Sequence, residues 1–222
     1  HYNKSIRPIP YDPQQAIKLL HEAGWKKRNG LLIKNGKKLA FKLLTNHGNE
    51  IRKSIAIVVQ DSWKRIGIKV SFDTVEWAVF IKKHINELNF DAVILGWSLG
   101  LDPDLFQIWH SSQTNKGQLN FVGYKNKIAD KLIVKIRQEY DLKKQIVYAH
   151  KLHRIIATDQ PYTFLYNPKW TALLDRKIAI LQKSKNGNSS AKKITATRTG
   201  SYSFDFNKWI KFPTTPTFES KF

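Results

Sequence analysis

Cysteine and methionine are both absent from the 222 residues. Without cysteine there is no zinc ribbon, no thiol nucleophile and no disulfide framework to consider, although this does not fix the compartment. Long apolar runs are missing too. The best helical stretches carry a charge every few positions, so no helix long and apolar enough to cross a bilayer is expected. The opening His1-Tyr2-Asn3-Lys4 has neither an initiator Met nor an apolar signal core. The chain is therefore expected to be a fragment whose true N-terminus, with any targeting signal, is missing. Acids are scarce: 17 Asp and Glu stand against 38 Lys and Arg, a net charge of +21. Such a balance raises nucleic acid or an anionic membrane surface as partners. The cations are scattered, however, with no run of five or more, and a solvating Lys surface with no nucleic-acid partner is expected.

Reaction chemistry is equally thin. There is no GxxxxGK[ST], GxGxxG or GxSxG. His21-Glu22 lacks the second His of a zinc-protease helix. His150 and His153 are spaced for one helix face, but no acidic partner is near, and a surface pair is the simpler reading. With no nucleophile–base or carboxylate pair identifiable, neither an enzyme nor a cofactor is expected.

What is present is a run of alternating elements. Asp12 and Pro13 open a helix whose apolar positions are Ala16, Leu19, Leu20 and Ala23, stopped by Gly24. Asn35-Gly36 turns a hairpin between residues 31–33 and a strand over 39–45. A helix over about 49–66 turns Ile51, Ile55, Val58, Val59, Trp63 and Ile66 inward and stops at Gly67. A strand over 68–75, a helix over 76–88 and an apolar strand over 90–97 follow. Asp102-Pro103-Asp104 opens a short helix through Trp109. Residues 119–122 read as a strand, 126–140 and 142–158 as helices, and 162–166 as another strand. Residues 183–199 are polar and read as loop. The aromatic end over 200–212 alternates like a strand. Strands alternating with helices predict an α/β fold with a mixed sheet flanked by helices.

The one suggestive locale is Leu95-Gly96-Trp97-Ser98-Leu99-Gly100-Leu101, at a strand's carboxyl end, where α/β sheets bind ligands. Glycine lets a ligand approach the backbone, and Trp97 offers a flat ring with one donor. A binding platform and a core Trp with a Gly turn both fit these residues.

Tyr11-Asp12-Pro13 through Leu20-His21-Glu22-Ala23-Gly24-Trp25 resembles the helix that opens the second lobe in the extracellular solute-binding proteins, family 5. Phe90-Asp91-Ala92 through Gly96-Trp97 and on to Leu105-Phe106 is similar to a second block of that family. Asn120-Phe121-Val122-Gly123-Tyr124-Lys125-Asn126, with Asp130, Leu132 and Ile133, is similar to a third. Asp159-Gln160-Pro161-Tyr162 with Leu165-Tyr166 is similar to a fourth, and the ending over 206–209 also resembles the family's. The blocks run in family order over about residues 10–170.

The resemblance implies lobe 2 of a class II (type C) periplasmic binding protein, hinged to a lobe 1 that is missing here. It implies residues 1–11 as inter-lobe linker, 12–182 as the α/β ligand-binding lobe, and 183–222 as loop and terminal strands returning toward lobe 1. The implied function is capture of peptides or a similar elongated polar solute, delivered to an ABC permease and its ATPases. The implied place is periplasmic or extracellular, with a lipoprotein anchor as one form. Trp77, Trp97, Ser98, Leu99, Gly100, Asn120 and Tyr124 are the implied ligand-binding residues. Peptide binders of the family place an Asp shortly after the Gly-Trp pair to hold the peptide's amino group. Here Ser98-Leu99-Gly100-Leu101 stands instead, so a blocked peptide, an oligosaccharide or a metal complex fits as well. A basic nucleic-acid-binding module is the alternative from outside the family.

Overall fold

The computed structural model describes residues 1–99, 104–168, 171, 173–183, 189–196 and 203–218. They form two units, His1–Thr163 and Phe164–Phe222.

In the first unit, α1 (Pro13–Glu22) begins as its sequence dictates. Asp12 Oδ1 accepts the Gln15 N–H at 2.9 Å, and Pro13 occupies the first turn, where its missing N–H costs nothing. Its apolar face is shallow: Leu20 packs on a core, whereas Leu19 is exposed. An antiparallel sheet follows, β1 (Lys26–Arg28), β2 (Leu31–Lys34) and β3 (Lys37–Lys38), in the order β1-β2-β3. Both turns are Asn-Gly pairs with positive φ throughout, 48° and 79° at Asn29-Gly30 and 51° and 75° at Asn35-Gly36. That backbone matches the natural strand twist. The expected hairpin at Asn35-Gly36 is there; β1 and its Asn29-Gly30 turn are additional.

The strand expected over 39–45 belongs to a different sheet. β4 (Ala40–Asn46), α2 (Glu50–Arg65) and β5 (Lys69–Val75) form a crossover unit, with β4 and β5 parallel from Ala40↔Lys69 to Asn46↔Val75. β6 (Ala92–Val93) pairs parallel to the other edge of β4, so the order is β5-β4-β6. Adjacent residues of β4 serve opposite faces. Leu43 packs with Ala56, Ile68, Val70 and Ile94, and Leu44 with Phe80, Ile85 and Phe121. A parallel sheet covered on both sides requires such a pair of apolar neighbours. The expected strand over 90–97 pairs as a strand at two residues; the Ile94 N–H bonds Leu44 O at 2.9 Å, and the chain then leaves the sheet.

On α2, Ile55, Val59, Trp63 and Ile66 pack inward as expected, but Ile51 and Val58 face solvent. The helix stops at Gly67, whose φ is 92°. Glu76 caps α3 (Trp77–Val79), which passes directly into a π-helical stretch, Phe80–Ile85. The remaining α-helices among the described residues are α4 (Phe106–Trp109), α5 (Lys127–Gln138) and α6 (Leu142–Asp159). Their shared core joins Ile108, Trp109, Leu132, Ile133, Ile136, Leu152 and Ile156. Truncating a side chain as enclosed as Ile133 to alanine costs about 2–5 kcal/mol. Residues 119–122 and 162–166 are not strands but turns and irregular backbone. Their apolar side chains include Phe121 and Tyr162, which are held by ring stacking rather than by a sheet.

The second unit holds an antiparallel sheet, β8 (Ser189–Lys192), β7 (Ile178–Lys183) and β9 (Trp209–Lys211), with β7 central. β8 lies inside the stretch expected to be loop. Within the expected terminal strand a 3-10 helix, Ser203–Lys208, precedes β9, where the chain does pair as a strand. The expected helix start at Asp102-Pro103, Gly100, Leu101, residues 184–188 and 197–199 of the expected loop, and residues 200–202 of the expected terminal strand lie outside the described residues.

Candidate functional site

The parallel register brings three strand ends to one edge. Asn46 is level with Val75, and Leu44 with Val93. From this edge issue His47-Gly48-Asn49 into α2, Glu76-Trp77 into α3, and Leu95-Gly96-Trp97-Ser98-Leu99. The carboxyl edge of a parallel sheet is where helix N-termini and irregular backbone leave room for a ligand.

Each segment is anchored. The buried Thr45 hydroxyl donates to Ile94 O at 3.0 Å, and the His47 N–H to Val75 O at 2.7 Å. The Glu76 carboxylate accepts the Val79 N–H at 3.0 Å. Backbone N–H groups, that of Ala78 foremost, hold its carboxyl below the usual range. Trp77 therefore leaves a capped helix start with half of its surface exposed, tilted against Phe80 at 6.3 Å.

Trp97 is partly packed and partly exposed. One ring face stacks on Phe121 at 5.8 Å with a 25° interplanar angle, yet 40% of the residue is exposed. Phe121 in turn stacks on Tyr162, which leans on Trp109 at 4.5 Å. Burial pushes the Tyr162 phenol up to about 12. Ser98 and Leu99 follow Trp97 on exposed backbone.

Asn120 and Tyr124 take a different part from the one expected of them. Asn120 is fully buried. Its Nδ2 donates to His110 O at 3.1 Å and Tyr124 O at 2.8 Å, and its Oδ1 accepts the Tyr124 N–H at 3.0 Å. The Tyr124 hydroxyl donates to Asp159 Oδ2 at 2.6 Å. Both residues shape the loop that carries Phe121, on which Trp97 stacks. The sequence blocks around Asn120, Asp130 and Asp159 converge here. Asn126 Nδ2 donates to Asp159 Oδ2 at 2.8 Å, and Asp130 accepts from the Ser111 N–H and hydroxyl.

The sequence reading missed Arg52, counting it only as part of a helix. Arg52 stands in the first turn of α2, and its Nη1 donates to Asn46 Oδ1 at 2.6 Å. Its Nη2 lies 3.6 Å from where a Cβ on Gly96 would be. A cation thus borders the glycine that precedes Trp97. The available signal was Asn49 as a helix cap directly after a strand, which puts the next three residues at the strand's carboxyl end. Among the described residues no cluster of three or more His, Asp or Glu is arranged to hold a metal, and His153 Nδ1 accepts the Asn3 N–H at 3.3 Å.

A parallel three-stranded sheet with its aromatic carboxyl edge, beside α4–α6, has the fold of a class II periplasmic binding protein lobe. The model of the bacterial extracellular solute-binding proteins, family 5 Middle, matches residues 1–118, and the chain belongs to that family. It is 47% identical over 167 residues to the oligopeptide-binding protein AppA of Bacillus subtilis (strain 168), covering 73% of this chain and 30% of that protein. The structure of AppA from Bacillus subtilis in complex with a nonapeptide matches with TM-score 0.71 and 36% identity, over 95% of this chain and 40% of that one. NikZ from Campylobacter jejuni in complex with Ni(L-His) shares the fold, with TM-score 0.65 and 24% identity, over 90% of this chain and 39% of that one. The chain thus spans about a third of the length of these relatives. Among the described residues no helix is long and apolar enough to cross a membrane.

Proposed function

We propose that this chain is a ligand-binding lobe of an ABC importer's solute-binding protein and that it captures an extended peptide without catalysing a reaction. The carrying observation is the carboxyl edge of β5-β4-β6, where Trp77, Trp97, Ser98 and Leu99 are exposed and the Arg52 guanidinium borders Gly96. Exposed aromatic faces and irregular backbone suit a ligand of repeating amides, which needs apolar walls and main-chain partners along its length. Arg52 supplies a cation for a carboxylate. The similarity to AppA, whose structure holds a nonapeptide, supports the same substrate class. A second lobe closes over the ligand, and the loaded protein delivers it to a membrane permease driven by ATPases, from a periplasmic or extracellular position.

The test is native mass spectrometry of protein purified without added solute, followed by peptide titration of Trp97→Ala. A co-purifying peptide mixture, and an affinity lowered about ten- to hundredfold by the substitution, are expected. A bound sugar or metal complex in place of peptide overturns the substrate class. Nucleic acid that survives a high-salt wash overturns the reading altogether.

A further inference from the structure

From Trp25 to Leu39 the sequence contains no Asp or Glu, yet it holds Lys26, Lys27, Arg28, Lys34, Lys37 and Lys38. The register of the β1-β2-β3 sheet divides its six cations between two faces. Cross-strand partners share a face of a sheet, and the register pairs Lys26 with Ile33, Ile33 with Lys38, and Arg28 with Leu31. One face of the β1-β2-β3 sheet therefore carries Lys26, Arg28 and Lys38 around Leu31 and Ile33. The opposite face carries the buried Leu32 together with Lys27, Lys34 and Lys37. Lys26, Arg28 and Lys38 are exposed, and among the described residues none of them is in an ion pair with a carboxylate. Leu31 and Ile33 are half-buried and join none of the three hydrophobic cores. The two Asn-Gly turns thus set three of these cations around an apolar pair, Leu31 and Ile33, that no core covers.

We propose that this face docks on an anionic phospholipid surface. Cations there meet the phosphates, and Leu31 and Ile33 settle toward the acyl boundary, the division of labour found in interfacial membrane-binding elements. The apolar centre selects the lipid surface over a nucleic acid, whose phosphates would engage the cations and leave Leu31 and Ile33 without a partner. The net charge of +21 draws the whole chain to the same surface over longer range.

The test is co-sedimentation of the protein with vesicles of phosphatidylcholine alone and of phosphatidylcholine mixed with phosphatidylglycerol. Binding to the mixed vesicles alone, weakened by salt, is expected. The triple variant K26Q/R28Q/K38Q loses about a hundredfold in affinity, at about fivefold per cation. Leu31→Asn loses several-fold more than it loses toward soluble polyphosphate. The variant K131Q/K143Q/K144Q, which removes three exposed cations on α5 and α6, stays within about twofold of the parent. Circular dichroism confirms that each variant is folded. Equal losses in the two triple variants would show that only net charge matters and overturn the proposal. So would polyphosphate or RNA binding that matches the vesicles and ignores Leu31→Asn.

Discussion

The Tyr124 hydroxyl and the Asp159 carboxylate meet at 2.6 Å, tying the loop before α5 to the last residue of α6. Asn126, the cap of α5, donates to the same carboxylate oxygen. Two substitutions that share one acceptor are coupled. Tyr124→Phe is expected to cost about 1–2 kcal/mol. Combined with Asn126→Ala it departs from additivity by at least about 0.5 kcal/mol. Urea unfolding of the double-mutant cycle measures this; strict additivity would refute the shared anchor.

Alkaline pH probes the same loop. Burial, and then the hydrogen bond to Asp159, raise the Tyr124 phenol, and burial raises Tyr162 to about 12. An unfolded tyrosine titrates near about 10. Above that pH the unfolded chain releases these protons first, so the contribution is complete below about pH 10 and is lost as pH climbs through the folded values. Near-ultraviolet absorbance should show a late-titrating fraction that shrinks in both Tyr124→Phe and Tyr162→Phe. A fraction unchanged by either substitution contradicts the assignment.

Gly67 and Gly36 separate conformation from contact. Both have positive φ, 92° and 75°. A Cβ at Gly36 meets nothing within 4 Å, whereas one at Gly67 meets Gly30 O at 3.2 Å and Leu32 Cγ at 3.3 Å. Gly36→Ala is expected to cost about 1 kcal/mol and Gly67→Ala about 2–3 kcal/mol. The excess is the price of pushing β2 off the end of α2, where the Leu32 N–H bonds Gly67 O at 2.8 Å. Equal unfolding midpoints for the two variants would count against that contact.

The N-terminal segment is expected to loosen in acid. The Asn3 N–H donates to His153 Nδ1, so His153 must be neutral there. Burial, and then His150, lower its pKa. A lowered histidine stabilises the docked state above its unfolded value of about 6.5, and that contribution is lost as pH falls. Tyr2, tilted against the His153 ring at 5.2 Å, and Asn3, buried with Oδ1 accepting the Ser5 N–H and hydroxyl, would be released with it. Hydrogen exchange at Asn3 should quicken between neutral pH and about pH 5 beyond its intrinsic rate, and His153→Gln should flatten the dependence. An unchanged protection factor across that range would rule out the coupling.

Local chemistry made several features legible in advance. Asp12 with Pro13, Asn35-Gly36 and Gly67 work through their own side chains or backbone freedom, so the helix start, the turn and the helix stop are written where they occur. The block residues were also visible in the sequence, but their roles were not. Asn120 and Tyr124 stand in the block as though for ligand, whereas the fold turns their polar atoms on one another, His110 and Asp159.

The remainder depended on partners distant in sequence. Residues 90–97 and 119–122 have the composition of strands, but a strand exists only where a neighbouring edge accepts its hydrogen bonds. β4 offers its edge to Ala92 and Val93, while Phe121 is held by stacking instead. Arg52 is one of many cations until the parallel pairing of β4 with β5 and β6 sets the start of α2 beside Gly96. Capping and turn residues therefore settled where elements begin and end. Which edges pair, which faces are covered and which cation borders the site were settled by long-range contacts, because hydrogen-bond partners and burial belong to the assembled layers and not to any single segment.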